Sequence, residues 1–200
     1  MTVKTRDKSK KRAAILEAAV SAFVETGFDR ASMDHIADIA AVSKRTIYNH
    51  FSSKELLFNA VIEQFIESNM AEKHIPYRAD IDLKQQLYQF ADLKINLLAT
   101  PDRMQFMRMA FGVLLTHPTI AESVMANADN GDDGFVQWLT QAVADKKLII
   151  EDIELATQVF WSMFSSCFFW MPIIQGQVDE TTTTRLKNEF VDTFLAKYGV

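Results

Sequence analysis

The four prolines of this 200-residue sequence stand at positions 76, 101, 118 and 172, and each falls between runs in which apolar residues recur every three or four positions. Proline breaks a helix from inside, so its confinement to the gaps leaves the runs themselves free to be helical. Only 6 glycines interrupt the rest, which favours long helices over a strand-and-turn architecture. The periodicity predicts helices over residues 10–26, 33–39, 44–50, 54–74, 82–99, 102–116, 119–128, 133–147, 152–171 and 180–197. An apolar content of 48% is enough for a sizeable core. A single cysteine, Cys167, and a charged N-terminus without an apolar stretch predict a cytoplasmic protein with no internal disulfide.

Local signals mark several of these boundaries. Gly27 ends the first helix in the left-handed conformation that glycine adopts freely, and Phe28 is expected to fold back on Phe23. Ser32 and Ser43 are placed to cap the two short helices "MDHIADI" and "KRTIYNH", with Ala40, Ala41 and Val42 between them. Two short helices joined by three residues are a helix-turn-helix. Ile47 supplies the inward face of the second, and most of its other side chains point out. Ser52 and Glu55 read as a capping box for the next helix, with Phe51 and Leu56 as its hydrophobic staple, and Thr119 with Glu122 repeat the box after Pro118.

Charge is divided unevenly. Residues 1–55 hold 10 Lys/Arg against 7 Asp/Glu, or +3, and residues 56–200 hold 11 against 19, or −8, which together give the net −5. A basic module on an acidic remainder suits a polyanion at one end only. The alternative on charge alone is a solvated basic terminus.

Residues 10–60 resemble the DNA-binding head of the TetR family of bacterial transcriptional regulators. The Phe-x-x-x-Gly-Phe helix ending, the Ile-Ala pair and the Thr-Ile-Tyr-x-His-Phe-x-x-Lys-Glu-x-Leu run carry the likeness. Ala41 departs from it, standing where such turns often use glycine. The resemblance implies an all-α fold with a three-helix DNA-binding head over residues 1–55 and a helical ligand-binding and dimerisation body over 56–200. It implies that Thr46, Tyr48, His50 and Lys54 hold backbone phosphates, with Ser32 among the DNA-binding residues. Lys44, Arg45 and Asn49 are the candidates for base readout, because Lys and Arg match the acceptors of guanine and Asn matches adenine. Lys8, Lys10, Lys11 and Arg12 could add phosphate or minor-groove contacts.

In the body, residues 155–178 carry no charge, a length that by itself would suit a membrane span. Gln158, Ser162, Ser165 and Ser166 interrupt the apolar surface, Pro172 breaks it, and acids flank it where Lys or Arg would be expected. Burial against protein on more than one side is the expectation, and no membrane partner is expected. By resemblance, this segment and the last helix form a dimer interface, for which Trp161, Phe168, Phe169, Leu186, Phe190 and Phe194 are candidates. Met104, Met107 and Phe111, with Trp138, Phe160 and Phe164, are candidates for a ligand pocket, and Gly112 would leave room inside its helix. Plain core filling is the alternative for all of them.

Catalysis finds no motif. A nucleophile elbow and a phosphate-binding glycine loop are lacking, and His35, His50, His74 and His117 show no metal spacing. "DNGDDG", from Asp129, lacks the ligand spacing of a calcium loop and reads as an acidic connection. No cofactor or metal is expected. The sequence therefore predicts a homodimeric repressor that binds a palindromic double-stranded DNA operator and is released by a small hydrophobic effector. The alternative is a hydrophobic-compound binding protein or enzyme that keeps a helical head without operator binding.

Overall fold

A computed structural model describes residues 3–70, 75–127 and 133–200. The acidic connection expected from Asp129 lies mostly outside the described residues. Helices dominate, and among the described residues the one β-bridge joins Leu148 to Gly199. No single helix among them is long and apolar enough to cross a membrane.

The chain divides into two compact units that do not follow chain order: residues 1–68 with 105–129, and 69–104 with 130–200. A boundary after residue 55 therefore falls inside the first unit, because the helix that starts there continues to pack on the head.

The first unit contains α1 (Val3–Thr26), α2 (Met33–Ile39), α3 (Lys44–His50), most of α4 (Lys54–Met70), most of α6 (Pro101–Thr116) and α7 (Pro118–Asn127). α1 starts seven residues before the apolar periodicity does, and its opening contains no Gly or Pro to stop it. Ile15, Ala19 and Phe23 of α1, Ile36 of α2, Ile47 of α3, Phe58 of α4, Ala110 of α6 and Ile120 of α7 belong to one buried cluster. Phe28 does fold back: its ring lies 5.5 Å from Phe23 and 5.2 Å from Phe58, with Gly27 at φ 81°. Two expected caps shift. Ser53, not Ser52, accepts the Leu56 amide at 3.2 Å, which buries Leu57 completely and leaves Leu56 51% exposed. α7 opens on Pro118, whose missing N–H costs nothing at the first helical position.

The second unit contains α5 (Leu83–Asn96), α8 (Asp133–Ala144), α9 (Ile153–Ser165), a π-helical turn (Ser166–Trp170), α10 (Met171–Gln175) and α11 (Glu180–Tyr198). α8 stops three residues early because Lys146 takes a left-handed φ of 58° while the Lys147 and Leu148 amides both bond the Ala142 carbonyl. The single long helix expected over 152–171 is widened at Ser166–Trp170, just ahead of Pro172. In a continued α-helix the Pro172 ring would collide with the carbonyl four residues back, and a wider turn relieves that clash. The core is an aromatic chain: Phe90, Phe135, Trp138, Phe160, Phe164 and Phe194, with successive ring centroids 4.6–5.7 Å apart along Trp138–Phe90–Phe135–Phe160 and 4.9 Å from Phe160 to Phe164.

Candidate DNA-binding site

Seven residues make α3, and only Ile47 of them is buried. A helix this short is marginal alone, so capping and one anchor must hold it. Ser43 supplies the cap: its hydroxyl accepts the Thr46 amide at 3.1 Å and lies 2.8 Å from the Thr46 hydroxyl. At the other end the Phe51 amide bonds the Ile47 carbonyl at 2.8 Å and the Phe51 ring is buried. Between these fixed points Lys44, Arg45, Tyr48 and Asn49 are exposed, with Tyr48 at 50%, and Thr46 and His50 are partly so. Ile47 alone on the inside puts all six others on a surface free to meet a ligand.

The preceding turn is tight because Ala41 takes φ 52° while the Ala41 and Val42 amides bond the Asp38 and Ala37 carbonyls. This is the positive φ for which glycine would be the better residue. Ser32 caps α2 by accepting the His35 amide at 3.2 Å, which leaves its own O–H able to donate.

Electrostatics separate the cations. The Lys44 ammonium lies 2.5 Å from an Asp34 carboxylate oxygen, and that hydrogen bond and charge hold its pKa above the usual lysine value. To reach a base edge Lys44 must leave Asp34. His50 titrates below the ordinary histidine value, first through burial and then through the positive charges of Lys8, Arg12 and Lys11. The basic tail of α1 thus converges on the C-terminal end of α3, and the Arg12 guanidinium stands 5.5 Å from the Phe51 ring centroid. A histidine whose neighbours are all cations is a place where a phosphate would relieve repulsion.

Lys54 differs from its expected role. Its ammonium donates to the carbonyls of Phe28 at 2.7 Å, Asp29 at 3.0 Å and Ala31 at 3.0 Å, and sits 4.5 Å from the Phe28 ring centroid. Three protons on three carbonyls leave none for a phosphate. Lys54 instead fixes the turn between α1 and α2, on which the position of α3 depends. Asp34, which restrains Lys44, was not among the expected site residues; the acid ten positions before an α3 lysine is the only sequence signal for it.

The body candidates separate by unit. Trp138, Phe160 and Phe164 belong to the aromatic core of the second unit, Met104 is buried in the same unit's share of α6, and Met107 packs on the first unit's cluster together with neighbours of Phe111 on α6. Gly112 leaves no internal room: it is exposed, and a Cβ there would meet nothing within 4 Å. Of the interface candidates, Phe168 and Phe194 are only 4% and 1% exposed and pack inside their own unit, beyond reach of a partner. Trp161, Phe169, Leu186 and Phe190 remain partly open, and Leu155, Trp170, Met171 and Ile174 add exposed apolar surface nearby in the chain. A helix with more than one apolar stripe cannot declare from sequence which of them faces the core.

Comparison with known proteins bears on both parts of the chain. A family model described as bacterial regulatory proteins of the tetR family matches residues 15–61, and one described as the C-terminal domain of AefR-like transcriptional repressors matches residues 85–200. The transcriptional regulator RutR of Escherichia coli is 26% identical over 189 residues, covering 93% of this chain and 85% of that protein. The transcriptional activator FasR of Mycolicibacterium smegmatis is 38% identical over 80 residues, and the match spans 40% of this chain but only 36% of that longer protein. A crystal structure of a TetR family transcriptional regulator from Pseudomonas syringae pv. tomato superposes over 100% of both chains with a TM-score of 0.76 at 27% identity.

Proposed function

This chain belongs to the TetR family of bacterial transcriptional regulators, and from that premise we propose that it is a homodimeric repressor that binds a two-fold symmetric operator and leaves it when a small hydrophobic effector fills the body. The reading rests above all on α3, a capped seven-residue helix that buries Ile47 and spends its remaining side chains on the surface. An α-helix fits the major groove, where Arg45 and Asn49 have the donors and acceptors that distinguish guanine and adenine. Thr46, Tyr48 and His50 flank them as phosphate partners, with Ser32 and the α1 cations at the margins.

Two-fold symmetry is supported by the apolar surface left open at Trp170, Met171 and Ile174, since a pair of recognition helices needs a pair of subunits. The repressor sign follows the description of the family model that matches the body. Release would be a population shift: an effector that binds better to the state with mismatched heads lowers operator affinity by the same coupling free energy.

The test is fluorescence anisotropy of the full chain on DNA from upstream of its own gene, against scrambled duplex, across a salt series. The reading expects roughly 10³-fold preference or more, with log affinity falling linearly against log salt. Equal affinity for both duplexes, on this DNA and on fragments selected from its genome, would refute it.

A further inference from the structure

The second unit pairs its buried polar groups with care. Gln86, 1% exposed, accepts the Trp138 indole N–H at 3.0 Å and the Arg78 amide at 2.9 Å, and donates at 2.8 Å to the carbonyls of Arg78 and Ile81. Two described side chains of the same unit break the pattern: Thr157 Oγ1 and Trp161 Nε1 are buried atoms with no hydrogen-bond partner. Thr157 is 8% exposed, so nothing outside the fold serves it. The two residues are four apart on α9 and therefore lie on one face, a single turn from each other. A buried polar atom left unpaired is costly, and two on one face of one helix are unusual in a native core.

Around the pair the chemistry is uniform. The Trp161 ring packs 5.3 Å from Phe135 and 5.1 Å from Phe160, and the Lys94 ammonium of α5 stands 5.9 Å from the Trp161 ring centroid and 5.2 Å from that of Phe169. An indole N–H can only donate, a threonine hydroxyl can donate, and an ammonium attracts negative charge. The two unpaired donors ask for an oxygen acceptor, and the positive charge of Lys94 close by favours one that is negative, in surroundings made of flat apolar rings.

We infer that Thr157 and Trp161 form the polar end of the effector site, and that the effector is a flat aromatic compound bearing a carboxylate or phenolate oxygen. The inference rests on the effector reading above and narrows it to a chemical class. A plain hydrocarbon would leave both donors unserved, and an organic cation would meet Lys94.

The experiment uses the full chain with ¹⁵N-labelled tryptophan, so that Trp138, Trp161 and Trp170 each give an indole N–H resonance, with Trp161→Phe identifying its own by loss. The probes are 2-naphthoate and naphthalene. The acid should bind about tenfold tighter or more, as expected for hydrogen bonds to a charged acceptor, and should move the Trp161 resonance downfield. Thr157→Val should weaken 2-naphthoate by about tenfold and leave naphthalene unchanged, and Trp161→Phe should weaken 2-naphthoate more than it weakens naphthalene. Without any ligand Thr157→Val should keep or raise Tm, because it removes an unpaired polar atom at nearly constant shape.

Equal binding of acid and hydrocarbon, indifferent to both variants, would overturn the chemical class while leaving an effector site standing. A Trp161 N–H that shows a cross-peak to bound water and ignores both probes would overturn the site, as would a lower Tm in Thr157→Val. Should a broad compound library also fail to release DNA from the chain, the effector reading itself would fall, a result separate from either of these.

Discussion

α3 and α9 use their residues in opposite ways. Of the seven residues of α3 only Ile47 is buried, whereas α9 buries Ala156, Thr157, Phe160 and Phe164 and packs against α5, α8 and α11. A helix held by one anchor and a cap contributes little to stability and keeps six side chains for a ligand; a helix surrounded by core contributes stability and has few side chains left to recognise anything. Damage to the apolar core residues of α9 should therefore appear as lost stability with unchanged sequence preference, and damage to the outer face of α3 as changed preference with unchanged stability.

The largest effect belongs to the core helix. Phe160→Ala should cost about 3–5 kcal/mol of unfolding free energy, read by denaturant titration, while the protein that remains folded selects the same DNA. A shifted preference would break the contrast. Lys54→Ala comes next: losing three carbonyl contacts and a ring contact should lower stability by roughly 1.5–3 kcal/mol and weaken binding to all sequences alike. If Lys54 were a phosphate contact only, the salt slope would drop by about one with Tm unmoved. Asn49→Ala should leave Tm unchanged and lose about 1–3 kcal/mol of discrimination at one base position, visible as a relaxed position in selected DNA.

Smaller effects sharpen the same division. His50 is held below the usual histidine pKa by burial and by Lys8, Arg12 and Lys11; a bound phosphate would favour its charged form, so its pKa should rise on binding. Proton uptake then accompanies association. DNA affinity should be flat at alkaline pH and increase as pH falls from the raised pKa of the complex towards the lowered one of the free protein, by at most about tenfold per pH unit for one proton, and His50→Gln should flatten the profile. Ala41→Gly, which relieves a left-handed alanine, should add up to about 1 kcal/mol of stability without altering operator choice.

What could be read from the sequence follows the range of the interactions involved. Both short helices of the head, Ser43 as a cap, Gly27 as a terminator and the return of Phe28 to Phe23 depend on residues within five positions of each other, and each stands in the structure where its local pattern put it. The choice between Ser52 and Ser53 was not local. Both serines can cap, and burial of Leu57 beside Phe58 decides for the second. Lys54 was illegible for the same reason, because its acceptors lie 23–26 residues upstream and meet only when α1, α2 and α4 pack. In the second unit the difficulty is one of faces: residues 155–178 carry more than one apolar stripe, so the inward turn of Phe168, the widening before Pro172 and the unpaired Thr157 and Trp161 emerge only with the fold.

Selection of binding sequences from a random duplex pool, using the full chain and its Asn49→Ala variant side by side, tests most directly that α3 is the element that reads DNA. The account predicts a two-fold symmetric motif with half-sites about one helical turn, or a multiple of it, apart, and loss of preference at one symmetric pair of positions in the variant. Recovery of the same motif by both proteins, or of no motif by either, would contradict it.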